Sequence, residues 1–218
     1  MFQLSDFEKS LLSKGNLVET WARKLFPDGI LIAEEGDGAI RITKEHIAQK
    51  THVIFQPKFV YDKFLAKNDA LEYDKEKDCW NLYEIKGTNT LDENASNIDH
   101  IEDATFQTII LKAVGIKVGK VYIIHLNKEY IKEGEINVEE LFVKDDITAE
   151  VESREEATKL KMQKAAEALF QPDESVLICQ CVYSGRSAHC TTFEYSYPAI
   201  PEYSIHDLSR IGSSKKKL

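Results

Sequence analysis

No stretch of about eighteen apolar residues occurs anywhere in the 218-residue chain, so the sequence contains no membrane-spanning helix. The N-terminus, Met1-Phe2-Gln3-Leu4-Ser5-Asp6, lacks the basic and then apolar pattern of a signal peptide, and a cytoplasmic location is the expectation. Positive charge is outnumbered, 28 Lys and Arg against 37 Asp and Glu. The formal net charge of −9 argues against a surface that wraps nucleic acid non-specifically. It leaves room for an enzyme that grips a few phosphates and whose acidic site is neutralised by a metal. Cysteine is scarce too. Cys79 stands alone, while Cys179, Cys181 and Cys190 fall close together, a cluster that in a cytosolic chain points to metal before disulfide. Internal repeats and low-complexity segments are also missing.

What is there describes an ordinary globular protein, with 43% hydrophobic and 30% charged residues. Residues 5–26 read as a helix, with Leu12, Gly15, Glu19, Ala22 and Phe26 on one face. A short strand over 30–33, an acidic Gly-rich turn over 34–38 and a small helix over 43–50 follow. Strands are then expected over 53–61, 64–73 and 79–86. Pro57 makes the first of these an edge or bulged strand. A helix over 99–114, an apolar strand over 118–126, an edge strand over 142–147 and a second long helix over 153–170 complete the pattern. This order predicts an α/β fold with a mixed central sheet flanked by helices. The last fifty residues, richer in Cys, Ser, Tyr and Pro, read as a loop-rich appendage.

Side chains alternate faces along a strand, so Leu82, Glu84 and Lys86 point one way and Tyr83 and Ile85 the other. Asp69, on the preceding strand, can join Glu84 and Lys86. Two carboxylates can hold a divalent cation, and a lysine beside them can orient or activate a water, the parts needed to hydrolyse a phosphodiester. The alternative reading of Glu84 and Lys86 is a surface ion pair on an edge strand, worth at most about 1 kcal/mol. Glu19 shares a helix face with Ala22 and Phe26, where an acid is costly unless paired or bound to metal. Gln107 lies with Ala104, Leu111 and Val114 on a later helix face.

Asp69 followed by Glu84-Ile85-Lys86 resembles the motif of the PD-(D/E)XK nuclease superfamily, and the element order is similar to its restriction-endonuclease-like αβββαβ core. Gly15-Asn16-Leu17-Val18-Glu19 and Gln107-Thr108-Ile109-Ile110-Leu111 resemble the first-helix and post-motif-helix signatures of the RecB-like branch, although Leu111 stands where that branch has Tyr. Cys190-Thr191-Thr192-Phe193 and the stretch from Pro201 to Asp207 are similar to a group of bacterial RecB-like proteins. The resemblance implies a nuclease-like domain over 1–172 and a Cys-containing, loop-rich extension over 173–218. It implies Mg²⁺ or Mn²⁺ held by Glu19, Asp69, Glu84 and the backbone carbonyl of Ile85, with Lys86 and Gln107 completing the catalytic set.

Some RecB-like nucleases hold an iron–sulfur cluster on three C-terminal cysteines and one N-terminal cysteine. Cys179, Cys181 and Cys190 lack that fourth ligand here, because Cys79 sits in the catalytic strand, so free packed thiols are expected. The function implied is metal-dependent hydrolysis of DNA, with a helicase or other protein as a possible partner. The alternative is a catalytically inactive nuclease-like module that binds nucleic acid or a protein.

Overall fold

The computed structural model describes residues 6–88, 95–170, 180–183, 189 and 192–208. Contacts divide the chain into two compact units, Met1–Lys164 and Ala165–Leu218.

The first unit is built on a six-stranded mixed sheet of order β1-β2-β5-β6-β7-β8. Its strands are β1 (Ile30–Leu31), β2 (Val53–Phe55), β5 (Ala70–Asp74), β6 (Cys79–Lys86), β7 (Val118–Leu126) and β8 (Phe142–Asp146). Pairings β1–β2 and β6–β7 are parallel; the others are antiparallel. The β6–β7 crossover runs through α3 (Ala95–Ala113), as a parallel pair requires. The helices α1 (Asp6–Ala22), α2 (Gly36–Ala48), α4 (Val138–Leu141) and α5 (Thr148–Leu169) complete the order. The expected α/β architecture with a mixed sheet is therefore present. Among the described residues no helix is long and apolar enough to cross a membrane.

The two faces of β6 separate two cores. Trp80 and Leu82 pack with Leu71, Val121, Ile123, Ile110 and Leu111. Tyr83 and Ile85 pack with Ala22, Phe26, Phe55 and Ile124. The Tyr83 ring stacks on Tyr122 at 4.9 Å between centroids. The alternation read along residues 80–86 is thus the alternation observed, and β6 lies between β5 and β7 in the sheet interior.

Several expectations need correction. The strand expected over 53–61 is two strands, β2 and β3 (Lys58–Tyr61), and the strand expected over 64–73 is also two, β4 (Phe64–Lys67) and β5. Strands β3 and β4 form a separate two-stranded sheet. The break has a local cause. Gln56 takes a left-handed φ of 58°, and Pro57 has no N–H for a ladder. Two bonds close the break, Gln56 N–H to Asp69 O (3.0 Å) and Asn68 N–H to Pro57 O (3.1 Å). Of the two readings of Pro57, edge or bulged strand, the edge is excluded because β1 covers β2, and the irregularity is the break at Gln56-Pro57. The inward face of α1 begins only near Val18: Leu12 is exposed, while Ala22 and Phe26 are buried. Helix α2 starts at Gly36, inside the stretch read as a turn.

In the second unit the described residues form the end of α5, two 3₁₀ turns, Gln180–Tyr183 and Ile205–Asp207, and α6 (Phe193–Ser196). The Phe193 ring is buried, stacking on His189 and meeting His206 edge-on. Ser204 caps the second 3₁₀ turn through a reciprocal pair of bonds with its third residue, Asp207. Cys179, Cys190 and the Cys181 side chain lie outside the described residues, and the reading of the cysteine cluster lies there with them. Cys79 is a buried free thiol at the start of β6.

Candidate active site

The polar residues named from the sequence gather near the C-terminal end of β6, between α1 and α3. Asp69 does not sit on a strand. It occupies the break between β4 and β5, where its Oδ2 accepts a bond from the Ile85 backbone N–H at 2.8 Å. The next register pair, Ala70 with Tyr83, places Asp69 beside Glu84. Ile85 thus meets Asp69 through its N–H.

Glu84 is 4% exposed. Its Oε1 accepts from Lys86 Nζ at 2.7 Å and its Oε2 from Gln107 Nε2 at 2.8 Å. Lys86 Nζ also donates to Asp103 Oδ2 at 3.0 Å. Gln107 is held in turn by Asn68, whose Nδ2 donates to Gln107 Oε1 at 2.7 Å. This bond fixes the Gln107 amide with its NH₂ toward Glu84. Asn68 is fully buried and its Oδ1 has no hydrogen-bond partner among the described residues. Glu19, from α1 on the opposite face of the sheet, accepts from both Arg23 and Gln56. Gln56 Nε2 also lies 3.3 Å from Asp69 Oδ1. Glu19 is thereby joined to Asp69 through one amide.

Burial pushes the Glu84 carboxyl up to about 8, and the neighbouring Asp69 charge adds to it, against the opposing pull of Lys86. Asp69 is raised as well, first by burial and then by Glu19, while the Ile85 N–H opposes the shift. Burial alone would lower the Lys86 ammonium. Glu84 and Asp103 outweigh it and raise Lys86. Lys86 Nζ thus lies between two carboxylates, Glu84 at 2.7 Å and Asp103 at 3.0 Å.

The structure therefore brings Asp69, Glu84, Lys86 and Gln107 into one network and links Glu19 to it. The sequence reading missed Gln56, Asn68 and Asp103. Asp103 carried a signal, since it precedes Gln107 by one helical turn and shares its face. Gln56 carried only the neighbouring Pro57. His125 is the cross-strand partner of Lys86, and its Nε2 hydrogen-bonds Asp145 at 2.9 Å.

The available donors are carboxylate oxygens, a set suited to Mg²⁺ or Mn²⁺. Among the described residues, no three His, Cys, Asp or Glu side chains stand together as a ready cation shell. The chemistry of the donors fits such an ion, and holding one requires the Glu19, Asp69 and Glu84 carboxyls to draw in. No family model matches the chain, and neither a curated protein nor a solved structure matches it.

Proposed function

We propose that the chain is a metal-dependent nuclease that hydrolyses phosphodiester bonds of DNA in the cytoplasm. The observation that carries this reading is the meeting of Asp69, Glu84 and Lys86, with Glu19 one amide away. The resemblance of Asp69 and Glu84-Ile85-Lys86 to the PD-(D/E)XK motif supports it. So does the order of α1, the β2–β5–β6 meander, α3 and β7, which resembles the αβββαβ order of that superfamily.

In this reading Glu19, Asp69, Glu84 and the Ile85 carbonyl hold Mg²⁺ or Mn²⁺. The ion supplies Lewis acidity toward a phosphoryl oxygen and the attacking water. Lys86 positions that water and offsets the charge that grows on the phosphate. Asp103 holds the ammonium against Glu84, and Gln107, anchored by Asn68, orients the Glu84 carboxyl. Phosphates are gripped locally rather than along a basic surface, in keeping with the net charge of −9. A helicase or another protein is a fitting partner for such a module.

The test is a panel of labelled DNA and RNA substrates with Mg²⁺ or Mn²⁺, wild type against Lys86→Ala. The variant is expected to lose cleavage and keep its fold, because Glu84 can hold its proton and no bare charge is left buried. Full cleavage by Lys86→Ala would remove it from the mechanism. A wild type that binds DNA and leaves it intact would favour the inactive-module alternative.

A further inference from the structure

Gln56 has a backbone that its side chain does not favour. Its φ of 58° lies in the left-handed region, which costs a residue with a Cβ about 1 kcal/mol or more and suits Gly or Asn. The residue is 7% exposed, so its amide must find partners inside the protein. It finds two, both carboxylates: Nε2 donates to Glu19 and lies 3.3 Å from Asp69 Oδ1. A primary amide has two N–H bonds in one plane, so a single nitrogen can serve two acceptors at once.

The backbone aims it. The bond from Gln56 N–H to Asp69 O and that from Asn68 N–H to Pro57 O lock the two strand breaks face to face. Gln56 is thereby set opposite Asp69, with α1 and Glu19 within reach of its side chain. Arg23 holds the same Glu19 oxygen from the 3₁₀ turn Arg23–Leu25 that follows α1. Glu19 Oε1 and Asp69 Oδ1 would repel if left alone, and the amide nitrogen between them bridges the two.

We infer that Gln56 is a positioning residue that cross-links Glu19 to Asp69, so that the acid from α1 joins the acids of the sheet in one cation site. This inference rests on the metal-dependent reading of the site. The left-handed turn is the conformation that delivers the amide to that place.

Mn²⁺ binding to the full chain by isothermal calorimetry tests it, with folding followed by circular dichroism. Gln56→Gly removes the amide and suits the positive φ. Gln56→Asn also tolerates that φ, but its amide is one methylene too short to reach both acids. Both variants are expected to stay folded and to bind Mn²⁺ about tenfold more weakly or worse, the size of effect seen when a group that orients metal ligands is lost. Wild-type Mn²⁺ affinity in both variants would overturn the inference while leaving the metal-dependent reading standing. So would a loss of binding that only tracks a loss of folded protein. A wild type that takes up no Mn²⁺ would overturn both.

Discussion

Glu84 shows how burial sets the chemistry of a single residue. Its carboxyl is closed off from water, faces Asp69, and keeps its proton to about pH 8. In the proposed metal site a cation competes with that proton, so binding releases it. Below pH 8 each step down in pH therefore weakens Mn²⁺ binding, and above it the affinity levels off. Calorimetry in buffers of different ionisation enthalpy should show affinity rising from pH 6 to pH 8 with uptake of a proton by the buffer. An affinity flat across that range would contradict a Glu84 carboxyl that binds the cation in place of its proton. At this scale the sequence was legible where periodicity applies. Glu84 and Lys86 follow from two-residue alternation, and Glu19 and Gln107 from helical spacing. Gln56 and Asn68 were not, because their roles depend on a break in the strands that alternation cannot describe. Asp103 was legible in principle, one turn before Gln107.

The elements explain why these residues converge. Strand β6 is buried on both faces and carries Glu84 and Lys86 at its end, while the paired breaks after β2 and before β5 bring Gln56 and Asp69 to the same level. Pro57 announced an irregular strand, and its missing N–H is visible in any sequence. The left-handed φ at Gln56 is not, since glutamine has no preference for it. Tight packing of β6 on β7 holds the frame. A Cβ at Gly119 would lie 2.6 Å from Cys79 Sγ and 2.7 Å from Asn81 Oδ1. That asparagine oxygen already accepts from Lys120 N–H at 2.9 Å, so it is not free to give way. Gly119→Ala is expected to lower stability to urea by about 1–3 kcal/mol. An unchanged midpoint would show that the β6–β7 pair is looser than the geometry states.

At the scale of the whole molecule, an acidic protein is assigned a polyanionic substrate. The net charge of −9 is an obstacle only if affinity must come from a basic surface. In the proposed reading a divalent ion offsets these acids, and Lys86 is paired with Glu84 and Asp103 beside them. The central claim is that these acids drive metal-dependent cleavage of DNA. It is tested most directly by following a labelled DNA with Mn²⁺ under single-turnover conditions, wild type against Asp69→Asn, whose side-chain oxygen can still accept the Ile85 N–H. The account predicts cleavage by the wild type that chelation stops, and a loss of at least about a hundredfold in the variant, the scale of removing one transition-state-stabilising group. Equal cleavage by the two proteins, or cleavage that persists in excess chelator, would contradict it.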